Sequence, residues 1–203
     1  MIDKQGLLIV VSGPSGTGKG TICKRLLEKN PDMFLSVSAT TRAPREGEEH
    51  GVHYYFMSEQ EFLDNVKNEG MLEHAVFCEN YYGTPKKIVD EMLNNGRDVI
   101  LEIEVQGAMK VRSKMPEGVY VFVVPPSMDE LKKRLSGRGT ETQEVIEKRI
   151  NTAIHEFGYI EKYNYILLND DVESAVERLE AIINAEHCRI ERNKKIIEEV
   201  CNS

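Results

Sequence analysis

Nowhere in its 203 residues does the chain carry an apolar run approaching the roughly eighteen residues that a membrane-crossing helix needs. The N-terminal apolar stretch, Leu7-Leu8-Ile9-Val10-Val11, is short and lacks the basic lead-in of a secretory leader, so neither a leader nor a membrane partner is expected. Cysteine is scarce. Cys23, Cys78, Cys188 and Cys201 are scattered with no C-x-x-C pair, which argues against a zinc site and makes free thiols in a reducing cytoplasm the expectation. His50, His53, His74, His155 and His187 show no metal-ligand spacing either. Positive charge is short as well, 26 Lys and Arg against 34 Asp and Glu, for a formal net charge of −8. That balance argues against general nucleic-acid binding but leaves room for a local basic pocket holding a small phosphate ligand.

What is present is an ordinary globular composition, 40% hydrophobic and 30% charged, without internal repeats or low-complexity tracts. The length suits one well-buried core with a small insertion, or two small domains. Four apolar runs read as buried strands: Leu7–Val11, Val99–Ile103, Val119–Val124 and Tyr165–Leu168. Each precedes a helical pattern, which predicts an α/β fold with a parallel sheet covered by helices on both faces. Helices are expected over Met128–Leu135, Thr142–Lys162 and Val172 to near Val200, with Pro125-Pro126 closing a strand and Ser127 capping the next helix. The segment 34–84 differs. Short alternating runs at Val52–Met57 and Leu72–Cys78, and one amphipathic helix at Ser58–Asn68, predict an antiparallel subdomain inserted into the core.

Between the first strand and a helix expected near Thr21 lies Gly13-Pro14-Ser15-Gly16-Thr17-Gly18-Lys19-Gly20-Thr21. Strand, glycine-rich loop and helix form the setting of a phosphate-binding P-loop. The glycines let backbone N–H groups converge on an anion, and the helix directs its positive end at it. Lys19 adds a mobile charge for the β- and γ-phosphates. Gly20 departs from the strict pattern, which has Ser or Thr there to hold Mg²⁺. Either Thr21, one place later, substitutes, or the metal relies on water and phosphate.

A second anion pocket is expected from Ser36–Glu48, where Arg42 and Arg45 stand in a polar loop stiffened by Pro44. Guanidinium forks match phosphate oxygens in pairs. Tyr54 and Tyr82 add phenols that can donate to the same group. Alone, such a loop reads equally well as a solvated turn; beside a P-loop it suggests a second phosphorylated substrate. Glu102 and Glu104 alternate along Leu-Glu-Ile-Glu-Val and so face the same way, a costly pairing unless a cation or donor meets them.

Together these stretches resemble the guanylate kinases, over about 6–186. The motifs that carry the likeness are Gly-Pro-Ser-Gly-Thr-Gly-Lys at 13–19, Ser-x-Thr-Thr-Arg-x-Pro-Arg-x-Gly-Glu at 38–48 and Asn-Tyr-Tyr-Gly-Thr at 80–84. Gln-Gly at 106–107 and Arg-Leu-x-Gly-Arg-Gly-Thr-Glu at 134–141 complete them. The resemblance implies a P-loop NTPase-type core (6–33, 85–125, 165–186), a GMP-binding insertion (34–84) and a helical lid with its associated helices (126–164). A C-terminal helical extension (187–203) follows, packing on the core or on another subunit, so a homo-oligomer stays open. It implies transfer of the ATP γ-phosphoryl group to GMP, and to dGMP, with Mg²⁺, in purine nucleotide metabolism and GMP recycling.

By the same resemblance, Arg42, Arg45, Tyr54 and Tyr82 hold the GMP phosphate, while Ser38, Glu73 and Thr84 read guanine. Glu104 serves the base or its waters, and Glu102 holds Mg²⁺ through water. ATP falls to residues 13–21, Arg134, Arg138 and Asn169, and catalysis to Lys19, Arg42, Arg138 and Arg149. The chemistry agrees for Glu73: guanine offers N1–H and N2 amino donors that one carboxylate accepts together, whereas adenine presents a lone pair. Two other readings stand beside this one. A kinase of the same fold could act on another phosphorylated acceptor, or a kinase-like module could bind protein ligands without catalysis.

Overall fold

The computed structural model describes residues 5–136 and 143–202. Two sheets and the helices around them make up the architecture. The apolar runs build the larger sheet: β1 (Leu8–Ser12) leads into α1 (Lys19–Lys29), and β2 (Phe34–Leu35) follows at a sheet edge. The insertion then supplies β3 (Ala39–Thr40), β4 (Tyr55–Phe56), α2 (Glu59–Lys67), β5 (Met71–Phe77) and β6 (Asn80–Pro85). The chain returns through α3 (Lys86–Asn94), β7 (Val99–Glu102), α4 (Val105–Lys114) and β8 (Val119–Val124). After α5 (Met128–Ser136) and α6 (Gln143–Phe157) come β9 (Tyr165–Leu168), α7 (Val172–His187) and α8 (Lys194–Cys201).

The larger sheet runs β2-β7-β1-β8-β9, parallel throughout. Because residues alternate across a strand, β1 feeds two cores at once. Leu7, Ile9 and Val11 face Ile22, Leu26, Val176 and Leu179 from α1 and α7. Leu8 and Val10 face Val89, Leu93, Ala108 and Val111 from α3 and α4. This is why the run reads as uninterrupted hydrophobic rather than alternating. The central position of β1 carries the glycine loop at its C-terminal end to the middle of the sheet, where parallel α/β folds bind ligands.

The smaller sheet, β4-β3-β6-β5, surrounds a core of Ala39, Phe62 and Met71. Helix α2 starts at a full capping box, in which Ser58 accepts from the Glu61 N–H and the Glu61 carboxylate accepts from the Ser58 N–H. The β5–β6 hairpin turns at Cys78 and Glu79, both with positive φ (47° and 63°).

Four sequence expectations are corrected. Phe34 and Leu35, assigned to the insertion, pair instead with Val99 and Ile100 in the core sheet. The insertion is mixed rather than antiparallel, since β3 and β4 run parallel. The helix after the glycine loop begins at Lys19, two residues before Thr21. The helix expected from Val172 to near Val200 breaks after His187. There Asn193 turns its amide back to the His187 and Arg189 carbonyls (2.8 and 2.7 Å) before α8 starts.

Candidate active site

The loop between β1 and α1 is held from outside and from within. Gly18 takes φ 89° to enter the helix, a left-handed value that a side chain would strain. The buried Asn169, just beyond β9, donates its amide to the Thr17 carbonyl at 2.7 Å and fills the space where a Gly18 side chain would project. The Thr17 hydroxyl donates to the Pro14 carbonyl at 2.9 Å. Lys19 is only 8% exposed, and its ammonium donates to the carbonyls of Gly13 (2.6 Å) and Pro14 (3.1 Å), folded over the loop it belongs to. No side chain caps α1 and no acid stands in its first turn. The first N–H groups of the helix therefore retain a positive field suited to an anion.

Three elements lean on this loop. From α6, the Arg149 guanidinium donates to the Ser15 hydroxyl at 2.6 Å. From α5, Arg134 pairs with Glu130 at 3.0 Å and donates to the Asn169 carbonyl at 3.3 Å. From the end of β7, Glu102 brings its carboxylate to 3.2 Å from the point where a Gly20 Cβ would stand. Glu102 remains solvent-accessible, yet the surrounding protein raises its carboxyl pKa, with Lys19 opposing and Glu104 adding to the rise. Thr21 is exposed on α1. Arg138 lies outside the described residues, as do Gly137 and 139–142 of the expected lid.

The insertion gathers a second group. Arg42 meets both oxygens of Glu48 (2.8 and 2.9 Å) and lies 5.5 Å from the Tyr54 ring centroid. Tyr54 in turn packs edge-on to Tyr82 at 6.0 Å. Arg45 joins through its backbone N–H, which donates to Glu48 at 2.8 Å, while its side chain is exposed. Ser38 is half-buried and accepts the Tyr55 N–H on its carbonyl. The Thr84 hydroxyl donates to Glu73 at 2.8 Å. Burial raises the Glu73 pKa, with Thr84, Lys110 and Lys114 acting against the rise. Glu104 stands at the N-cap of α4, its carbonyl accepting the Ala108 N–H.

A family model described as guanylate kinase matches residues 5–186. The chain belongs to the guanylate kinase family. A guanylate kinase from Caldanaerobacter subterraneus subsp. tengcongensis is 56% identical over 195 residues, covering 96% of this chain and 95% of that one. One from Halalkalibacterium halodurans is 54% identical over 192 residues, covering 95% and 94%. Among solved structures, guanylate kinase from Anaplasma phagocytophilum matches at TM-score 0.72 and 35% identity, covering 93% of this chain and 90% of that one. A shikimate kinase from Bacteroides thetaiotaomicron, at 18% identity and TM-score 0.53, shares the fold.

For a member of this family, several residues beside the cleft were not legible in the sequence. Glu156 on α6 is 8% exposed, and burial raises its pKa, with Glu104 adding to the rise and Lys19 opposing. Tyr163 donates to the Ser12 hydroxyl at 3.0 Å, and burial pushes its phenol up to about 12. Lys110 and Lys114 of α4 each donate to a β5 carbonyl, of His74 and Met71, at 2.6 Å. The core helix thereby fastens the strand that carries Glu73. Glu156, Tyr163, Lys110 and Lys114 all lie outside the recognised motifs and depend on chain segments brought together by folding.

Among the described residues, no three His, Cys, Asp or Glu converge to hold a metal. Glu102, beside the P-loop, nevertheless suits a hard divalent cation that takes most of its ligands from nucleotide phosphates and water. Among the same residues, no helix is long and apolar enough to cross a membrane.

Proposed function

We propose that the chain transfers the γ-phosphoryl group of ATP to GMP, and to dGMP, giving ADP and the nucleoside diphosphate. The observation that carries this reading is the pairing of two differently built pockets. A P-loop ends β1 with Lys19 over it, and a separate sheet carries an arginine–tyrosine group and a Glu73–Thr84 pair, with Glu73 against Gly107 in the first turn of α4, just beyond β7, the strand that pairs with β1.

In this reading ATP phosphates replace the Gly13 and Pro14 carbonyls as partners of Lys19, and Asn169 and Arg134 border the adenine end. Arg42, Arg45, Tyr54 and Tyr82 hold the GMP phosphate, and Glu73, Thr84, Ser38 and Glu104 the base. Arg149 on α6 and Arg138 in the lid act on the transferring group, where negative charge spreads over three oxygens. Mg²⁺ suits Glu102, through water, with Thr21 as a second candidate, and when bound it supplies charge neutralisation at the phosphates. No general base is required, because the GMP phosphate oxygen is already an anionic nucleophile; the protein aligns and neutralises. Closure of the insertion and lid toward the core excludes water that would otherwise hydrolyse ATP.

The same reading makes 34–84 the GMP-binding insertion, 126–164 the lid with its helices and 187–203 an extension. It places the enzyme in the cytoplasm, in purine nucleotide supply. A coupled assay of ADP formation with Mg-ATP and each of GMP, dGMP, AMP, CMP and UMP tests it. Turnover with GMP and dGMP alone is expected. Preference for another acceptor overturns the base assignment, and silence with all five, despite ATP binding, overturns the nucleotide-kinase reading in favour of a binding module or a non-nucleotide acceptor.

A further inference from the structure

Arg42 does not stand alone in its pocket. Its Nη2 meets both carboxylate oxygens of Glu48, its Nη1 donates to the Ala43 carbonyl at 2.8 Å, and its guanidinium lies against Tyr54 and Phe56. The two side chains of the ion pair are 16% and 18% exposed, well below the usual surface pair. Glu48 is also tied into the loop by its own backbone. Its N–H donates to the Arg45 carbonyl at 3.0 Å, while its Oε2 accepts the Arg45 N–H at 2.8 Å. These reciprocal bonds close the turn 45–48 and hold the carboxylate against Arg42 through the backbone.

Two effects oppose each other here. A carboxylate near an incoming phosphate repels it, but a free arginine has considerable rotamer freedom to lose before it can bind. The backbone bonds decide between them, because a mobile stand-in for phosphate would not be stitched into the turn. We infer that Glu48 is a positioning residue: it holds Arg42, and the Arg42–Arg45 loop, in the geometry that receives the acceptor's phosphate, without itself touching substrate. The inference rests on the proposed reading of this pocket as the GMP phosphate site.

The test is binding of GMP and of guanosine to the full chain, measured calorimetrically for the wild type, Glu48→Gln, Glu48→Asp and Arg42→Ala, and for Arg42→Ala combined with Glu48→Gln. Glu48→Gln should weaken GMP about tenfold and leave guanosine within about twofold, since only the phosphate contact is disordered. Glu48→Asp, which keeps the charge, should recover part of that loss. Without Arg42, the Gln substitution should add nothing further to the loss in GMP affinity. Unchanged or tighter GMP binding in Glu48→Gln overturns the inference, as does an equal added loss in the Arg42→Ala background. A wild type that does not prefer GMP over guanosine overturns instead the reading of the pocket itself.

Discussion

Thr84 donates its hydroxyl to Glu73 Oε1 at 2.8 Å, where the β5–β6 ladder slips register between Met71 and His74. Glu73 and Thr84 each stand one residue on from the His74–Gly83 pair, on the two facing strands. One carboxylate oxygen is thus held by the protein itself, and in the proposed reading the other accepts from guanine. Replacing Glu73 by Gln keeps the shape but presents an amide donor to the guanine N–H groups. The expected loss in kcat/KM for GMP is about 10- to 100-fold, with KM for ATP unchanged. Burial raises the Glu73 pKa, so its carboxylate takes up a proton at a higher pH than an ordinary glutamate does. The value of kcat/KM for GMP should therefore begin to fall earlier on acidification, and Glu73→Gln should lose that part of the pH profile. Unaltered kinetics would remove Glu73 from base recognition.

The second oxygen of Glu73 has a neighbour that the sequence shows only as Gln-Gly. A Cβ placed on Gly107, in the first turn of α4, would stand 3.2 Å from Glu73 Oε2 and 3.5 Å from its Cδ. Glycine is unfavourable within a helix, by roughly 1 kcal/mol relative to alanine, so a local stability argument favours replacing it. Gly107→Ala should leave Tm unchanged or raise it, yet lower kcat/KM for GMP about 3- to 10-fold by displacing the carboxylate. Thermal melts and steady-state kinetics on one preparation separate the two effects. A lower Tm with unchanged GMP kinetics would show that Gly107 serves packing instead.

Arg149 reaches from α6 to the Ser15 hydroxyl at 2.6 Å, and so already touches the phosphate loop. Lysine at 149 retains charge but not the planar fork. Arg149→Lys should reduce kcat about 100-fold while KM for ATP and GMP change severalfold at most, the pattern of an interaction made chiefly in the transition state. Equal losses in kcat and in ground-state affinity for both nucleotides would assign Arg149 to binding rather than to the transferring group.

How much of this was legible depends on whether a feature is local. The uninterrupted β1 run and the glycine loop declare themselves because strand period, loop chemistry and helix start are all encoded within about fifteen residues. Helix α2 was legible for the same reason, from the amphipathic pattern between Ser58 and Asn68, its two cap residues. Phe34–Leu35 was not, since a two-residue edge strand has no period and is defined only by its pairing with Val99 and Ile100. The break between α7 and α8 was hidden because Cys188–Asn193 contains neither glycine nor proline; the Asn193 amide makes the turn. Glu48, Glu156 and Gly107 acquire their roles from neighbours, and of these Glu156 sits on a helix whose sequence pattern gives no hint of the cleft it borders.

Gly18 and Asn169, 151 positions apart in the chain, occupy one small space. A methyl at 18 would run into the Asn169 amide nitrogen while forcing a side chain to accept φ 89°. Asn169 cannot yield easily, because it is 4% exposed and its amide satisfies the Thr17 carbonyl at 2.7 Å. Gly18→Ala should therefore cost about 2–4 kcal/mol, combining backbone strain with a lost buried hydrogen bond, and should abolish measurable ATP binding. Asn169→Ala alone should cost about 1–3 kcal/mol through the unsatisfied Thr17 carbonyl. The double variant decides the origin of the first effect. If steric conflict with Asn169 dominates, Gly18→Ala adds about 1–2 kcal/mol or less in the Asn169→Ala background, the residue of backbone strain alone. Full additivity in denaturant melts would place the whole cost in the left-handed backbone of Gly18 and none in the contact with Asn169.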